Sequence, residues 1–448
     1  MIIIKDRPHI NAYQAANILQ EHTSRGGVLI DLDRAIDYKT YYMYELRHTR
    51  ESLARKYGVV SFEVKPQTLH YIAENILGED MDYFKKNLRA PYDSYSNKYI
   101  ADSKTLKSRI LKGLFKKETV TLIEEYSAAS KLVTARSNLS SYINLPILDT
   151  ESIEGHRVGL AKPTWVVANT GRIQTQGINI QGIPRNMCDL VTTIPGWTLI
   201  RCDSGQIEPR ITYSIYIKDA LIKELIILYD DAYYGLLHYI LLSPEEEKAL
   251  RDGSKKLTPM VITPEIEAMR QDLKTMSLAG NYGGSLNTFD PKITEGFLTK
   301  IQKHPLRLQW AQDVSAQLAK GDNIFRAFFG TPIIPKENSK YKPGEPGWEE
   351  HVERCGINNP VQATAAELMC ESVYYQDKLL REKGSGKSWI GFYKHDEALT
   401  YIHDSDLHLK DEIADCTSYQ VLDWIPIRAD KVEGIKRPKS PLPYELAV

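Results

Sequence analysis

Two short apolar runs constrain this chain more than any other feature, because each leads into a carboxylate. Trp197–Cys202 (WTLIRC) reads as a strand, and Asp203 follows it directly. Trp389–Tyr393 and Ala398–Ile402 read as the two strands of a hairpin, with Lys394–Glu397, and therefore Asp396, at the turn. A sheet holds a strand-end carboxylate rigidly and points it into a cleft. Two such groups brought together can hold two magnesium ions about 3.5–4 Å apart, with waters and phosphates completing the shells. A single aspartate at a strand end is also an ordinary turn residue, so the pair needs neighbours to mean more.

Most of the remaining chain carries helical spacing. Residues 10–85 read as mainly helical, with the pattern clearest over Asp37–Tyr57 and Pro66–Leu77, and a further helix is expected around Thr119–Leu139. The Gly-, Asn-, Thr- and Pro-rich region 150–200 reads as loops and short strands. Helices are expected again over Lys218–Tyr229, Tyr233–Leu242, Pro264–Ala279, His304–Lys320 and Val361–Glu382, with a proline-rich loop at 332–349.

The 448 residues suffice for two to four units. No run of 18 apolar residues occurs, so no membrane span is expected, and no signal peptide is read at the N-terminus. Five widely spaced cysteines without a C-x-x-C pair indicate neither a zinc site nor a disulfide framework, and fit a reduced cytoplasm. A net charge of −1 argues against a general polyanion binder. Distribution matters more than the sum: Lys85–Lys117 holds ten Lys or Arg against Asp93 and Asp102, with Tyr92, Tyr95 and Tyr99 among them. Such a segment can track a phosphate backbone, or simply be a solvated face.

Arg270, Lys274, Leu278 and Tyr282 recur every four residues and form one helical stripe. Two cations on its upper turns suit a triphosphate, Arg as a bidentate fork and Lys as a point charge. Gly280, Gly283 and Gly284 around Tyr282 allow a base or backbone to approach closely.

Five segments in order resemble family A DNA polymerases, the bacterial DNA polymerase I class. DSGQIEPR (Asp203–Arg210), RQDLKTMSLAGNYGG (Arg270–Gly284) and HDE (His395–Glu397) resemble the three polymerase motifs. TGRIQTQGINIQGIP (Thr170–Pro184) and RCGINNPVQATAAE (Arg354–Glu367) resemble two accessory motifs, and GGVLID (Gly26–Asp31) resembles the opening of the family's thumb. The resemblance runs over nearly the whole chain from about residue 20.

The resemblance implies an α+β right-hand fold, with a mostly helical thumb (1–160, including the N-terminal helical region), a small antiparallel-sheet palm (161–215 and 346–448) and helical fingers (216–345). It implies DNA-directed DNA synthesis with two Mg2+ ions, Mn2+ being a substitute, held by Asp203, Asp396 and the Ser204 carbonyl. Lys274 and Glu397 join the two aspartates as catalytic residues. Arg270, Lys274, Leu278, Tyr282, Glu208, Gln206 and Tyr233 would meet the incoming dNTP, with Glu208 blocking a ribose 2′-hydroxyl. Arg172, Asn179, Gln181, Arg354, Asn358, Gln362, His395 and Lys131 would contact the primer-template. Polar groups along its minor groove test pair shape, since the acceptors there recur in every correct pair.

The chain departs from the family at several positions. Leu278 stands where an aromatic residue is usual, Ser204-Gly205 replaces Tyr-Ser, Pro209 falls at a helix start, and Tyr233 takes a position usually held by His. Gly26 leaves no room upstream for an exonuclease domain within this sequence, so none is expected. LIDLD (Leu29–Asp33) superficially resembles an exonuclease carboxylate pair, but reads better as a helix start capped by Asp31. A compact polymerase of this kind suggests a phage or mobile-element origin and a bacterial host cytoplasm. Its expected partners are a separate exonuclease, a helicase-primase or a processivity factor. Two alternatives stand beside this reading: a single-subunit RNA polymerase or primer-synthesising relative, which Glu208 and Glu397 oppose, and an inactive DNA-binding relative, which the retained aspartates, Arg270 and Lys274 oppose.

Overall fold

The computed structural model describes residues 1–4, 9–79, 92–93, 98–99, 115–281, 291–337, 342–344, 347–394, 396–421 and 423–432. The principal strands are β1 (Ile2–Ile4), β2 (Val28–Asp31), β3 (Ile147–Glu151), β4 (Arg157–Ala161), β5 (Thr164–Val167), β6 (Ile173–Gln176), β7 (Trp197–Ser204), β8 (Trp389–Lys394), β9 (Glu397–His403), β10 (Tyr419–Val421) and β11 (Ala429–Val432). The principal helices are α1 (Ala12–Arg25), α2 (Leu32–Tyr57), α3 (Pro66–Asn75), α4 (Lys117–Ile143), α5 (Ile207–Ile211), α6 (Ala220–Tyr229), α7 (Ala232–Leu241), α8 (Pro264–Asn281), α9 (Pro305–Ala319) and α10 (Trp348–Lys383). This is a mixed, largely helical architecture with small sheets, in the class expected from the sequence.

The chain divides into two compact units. One comprises Met1–Val28, Lys162–Gln181 and Thr193–Lys436; the other includes Leu29–Ala161 and Gly182–Thr192. The first unit is built on an antiparallel sheet in the order β8-β9-β7-β11. Its strands alternate less than a half-exposed sheet would, and β8 is buried from Trp389 to Tyr393 because helices cover it. α10 lies along this sheet and buries every residue from Pro360 to Val373. The spacing in the sequence places the start of that helix at about Val361, just after Pro360, which lacks an amide donor. The helix instead begins at Trp348 and runs through the buried proline, with the Thr364 hydroxyl donating to the Pro360 carbonyl at 2.7 Å.

The N-terminal apolar run forms a strand. Ile2 and Ile4 are buried and Ile3 is exposed, the period of a strand, and β1 pairs in parallel with β10. α6 and α7 form a helical hairpin whose apolar residues join Leu273 and Met276 of α8 in one cluster. Leu273 and Met276 are wholly buried, so α8 is seated on its apolar face, with Arg270 and Lys274 on the flank beside α7.

In the second unit α2 packs against α4, and Leu53, Phe62, Leu69, Ile72, Leu122 and Tyr126 form its core. Asp31 caps α2 by accepting the Arg34 amide at 2.7 Å, which bears out the capping reading of LIDLD. Asp33 is taken up by Arg157. Most of the basic segment 85–117 lies outside the described residues. No described helix is long and apolar enough to cross a membrane.

The α6–α7 hairpin yields a stability test. A Cβ on Gly235 would lie 2.7 Å from both the Cα and the amide nitrogen of Ile226, and backbone cannot swing aside. Gly235→Ala is expected to cost about 1–3 kcal/mol, seen as a lower midpoint in thermal unfolding. An unchanged midpoint would mean that the two helices are not in such close contact.

Candidate active site

The register between β7 and β9 brings the two singled-out acids to one end of the sheet. Asp203 pairs with Glu397, and the Ser204 amide donates to the Asp396 carbonyl at 2.8 Å. Lys394 pairs with Glu397 on the other side of the hairpin, so Asp396 sits in a turn held by both flanking strands. Ser204 is fully buried, and its hydroxyl donates to the Thr417 carbonyl at 2.9 Å, which anchors the end of β7.

The charges around this point are uneven. Burial, with Glu208 and Glu397 close by, pushes the Asp396 carboxyl above its ordinary value, and Arg172 offsets this in part. Glu397 is drawn to Arg201, whose Nη2 donates to Oε2 at 2.6 Å. Arg201 and Glu397 both belong to the sheet, so this acid is fixed by a strand neighbour. Glu208, near the start of α5, is ion-paired with Arg172.

On α8 the Arg270 guanidinium binds Asp231, with Nη2 at 2.6 Å and Nε at 3.2 Å. Lys274 is exposed and has no carboxylate partner among the described residues; its Nζ lies 5.9 Å from the Tyr233 ring centre. Tyr233 is buried, and that burial, together with Glu208 and Asp231, raises its hydroxyl well above the ordinary value. Asp396 adds to the same effect, and both α8 cations lie against the Tyr233 ring. Gln206, in a left-handed conformation with φ 55°, donates to Asp231 at 2.5 Å.

The other expected site residues fall in several places. Asn358 and Gln362 of α10 line a cavity with Glu208, Tyr233, Ser277 and Arg307. Arg354, on the same helix, approaches Glu350 at 3.7 Å. The Gln181 amide is committed to backbone, donating to the carbonyls of Ile173 at 3.0 Å and Tyr393 at 2.7 Å and accepting the Thr175 amide at 3.0 Å. Asn179 is exposed beside it. Lys131 is exposed on α4 of the second unit. Tyr282, His395 and the side chain of Leu278 lie outside the described residues.

Sequence reading missed Asp231 as a functional residue, although it carried a signal: an aspartate just ahead of an apolar helix is an N-cap candidate. It also missed Arg201, which lies inside a strand where nothing marks a pairing partner. In the second unit, ligand atoms of Asp31, Glu154 and His156 lie within 4.8 Å of one another and could hold a metal ion. His156 Nδ1 lies 2.7 Å from Asp31 Oδ2, and that contact raises the imidazole above its ordinary value.

No protein-family model and no curated protein matches this chain. Solved structures do match. The POL domain of Pol1 from M. smegmatis, in complex with DNA primer-template and dNTP, aligns with a TM-score of 0.66 over 94% of this chain and 69% of that one, at 18% identity. The chain therefore has the fold of a polymerase domain.

Proposed function

We propose that this chain is a template-directed DNA polymerase of the family A type, which adds dNTPs to a primer 3′-hydroxyl. The observation that carries the proposal is the strand register that pairs Asp203 with Glu397 and bonds the Ser204 amide to the Asp396 carbonyl; Arg270 and Lys274, both against the Tyr233 ring, support it. The polymerase-domain fold and the ordered motifs support it.

The residues present fit divalent cations. Asp396 is an acid whose surroundings disfavour its charge, with Glu208 and Glu397 adding to the negative potential, and a bound cation would relieve that penalty. Asp203 and Asp396 would hold Mg2+, which supplies neutralisation of the transferred phosphate and activation of the primer hydroxyl. The chain's own side chains do the positioning. Arg270 and Lys274 offer a fork and a point charge to the triphosphate. Glu208, held by Arg172, forms a wall that a ribose 2′-hydroxyl would meet. Asn358 and Gln362 present polar groups toward the same cavity.

Primer extension tests the reading. The chain should extend a primed DNA template with dNTPs, and Asp396→Ala should lower the rate by about 10³-fold, as loss of a centre of transition-state charge stabilisation does. Glu208→Ala should raise ribonucleotide use by roughly 10- to 100-fold relative to deoxynucleotide. A wild-type preference for rNTPs would favour the single-subunit RNA polymerase reading instead.

The raised Asp396 carboxyl gives a second, activity-independent expectation. A carboxyl raised on folding contributes stability below its unfolded value and loses it as pH rises through the folded value. In metal-free buffer at pH 7, Asp396→Asn should therefore unfold at a higher temperature than wild type. The gap should close as pH falls toward the ordinary carboxylate range. A variant no more stable than wild type at pH 7 would contradict this.

A further inference from the structure

We propose that Asp231, seconded by Tyr233, is a positioning residue that turns the Arg270 fork so that its outer edge meets the triphosphate of an incoming nucleotide. This rests on the polymerase reading above. All four acceptor positions of the Asp231 carboxylate are occupied. Oδ1 takes the Tyr234 amide at 2.8 Å, capping α7, and Arg270 Nε at 3.2 Å. Oδ2 takes Arg270 Nη2 at 2.6 Å and Gln206 Nε2 at 2.5 Å. The other end of the Gln206 amide accepts the Ala232 amide at 2.5 Å. Gln206 stands three residues beyond Asp203, so one hydrogen-bonded path runs from the end of β7 through Asp231 to the α8 guanidinium.

Among the described residues one edge of the fork is left with weaker contacts. Asp231 occupies Nε and Nη2, while Nη1 makes a 3.6 Å approach to Glu267, a residue already engaged by Tyr234 and Gln271. A guanidinium fixed along one edge loses little freedom when a phosphate oxygen binds the other. Aromatic faces complete the support: Arg270 Cζ lies 5.0 Å from the Tyr234 ring centre and 5.9 Å from that of Tyr233, which Lys274 also shares at 5.9 Å. Burial works against ionising Asp231, but the bonds from Arg270, the Tyr234 amide and Gln206 together hold the carboxyl below its ordinary value.

Steady-state primer extension on the full chain tests this, with KM and kcat for one dNTP measured alongside primer-template affinity. Asp231→Asn keeps a side chain able to cap α7 and removes the anion. KM for the dNTP should rise roughly tenfold, the scale of one lost charge-assisted pair, while kcat falls less and primer-template affinity holds. In an Arg270→Gln background the same substitution should add nothing, because its effect passes through the guanidinium. An unchanged KM, or an equal rise in both backgrounds, overturns the inference. Should Asp231→Asn not fold, Tyr233→Leu should raise KM more than Tyr233→Phe, which keeps the ring; equal values overturn it. A wild-type chain that extends no primer overturns the polymerase reading as well. A wild type whose extension depends on Asp396, beside an Asp231→Asn variant at the wild-type KM, overturns this inference alone.

Discussion

The pairing of β7 with β9 is the constraint on which the rest of the site depends. A strand register is quantised: a slip of one residue turns every side chain to the other face. Here the register sets Asp203 opposite Glu397 and ties Ser204 to Asp396. It is locked from several directions. Apolar residues of both strands are buried under α10 and its neighbours, β11 pairs with the far edge of β7, and the Ser204 hydroxyl is anchored to Thr417. A loop would fix these two positions only at the entropic cost of ordering the chain. A sheet fixes them as a by-product of its core.

The second half of the site is fastened differently. α8 is seated by apolar packing of Leu273 and Met276, and its cationic face is then trimmed by polar contacts to Asp231, Tyr233 and Tyr234. Packing fixes the helix, whereas an ion pair and ring faces fix the guanidinium. The first is non-directional and the second strongly directional. That division suits the charged ligand proposed for this surface, since the surface stays attached to a rigid core.

Much of this was legible in the sequence because it is written in short periods. WTLIRC followed by Asp203, and the hairpin flanking Asp396, were recognisable as strands, and the helices from Lys218 to Lys320 fell close to their observed limits. What escaped reading has physical causes. Pro360 disguised the first part of α10, since a buried proline in a long helix is stabilised by tertiary packing that local rules ignore. The parallel pairing of β1 with β10 joins the two ends of the chain and leaves no local trace. The pairings of Arg201 with Glu397 and of Asp231 with Arg270 went unread because the partners are remote in sequence. The stripe from Arg270 to Tyr282 was legible as a pattern, but its last residue lies outside the described residues.

The central claim is that register, and not either acid alone, creates a shared cation site. Mn2+ titration followed by electron paramagnetic resonance measures this directly, without any need for turnover. The account predicts that Asp203→Ala and Asp396→Ala each remove the same high-affinity Mn2+ binding seen in wild type, and that the double variant loses no more than either single one. Wild-type Mn2+ affinity retained in one of the single variants would contradict it.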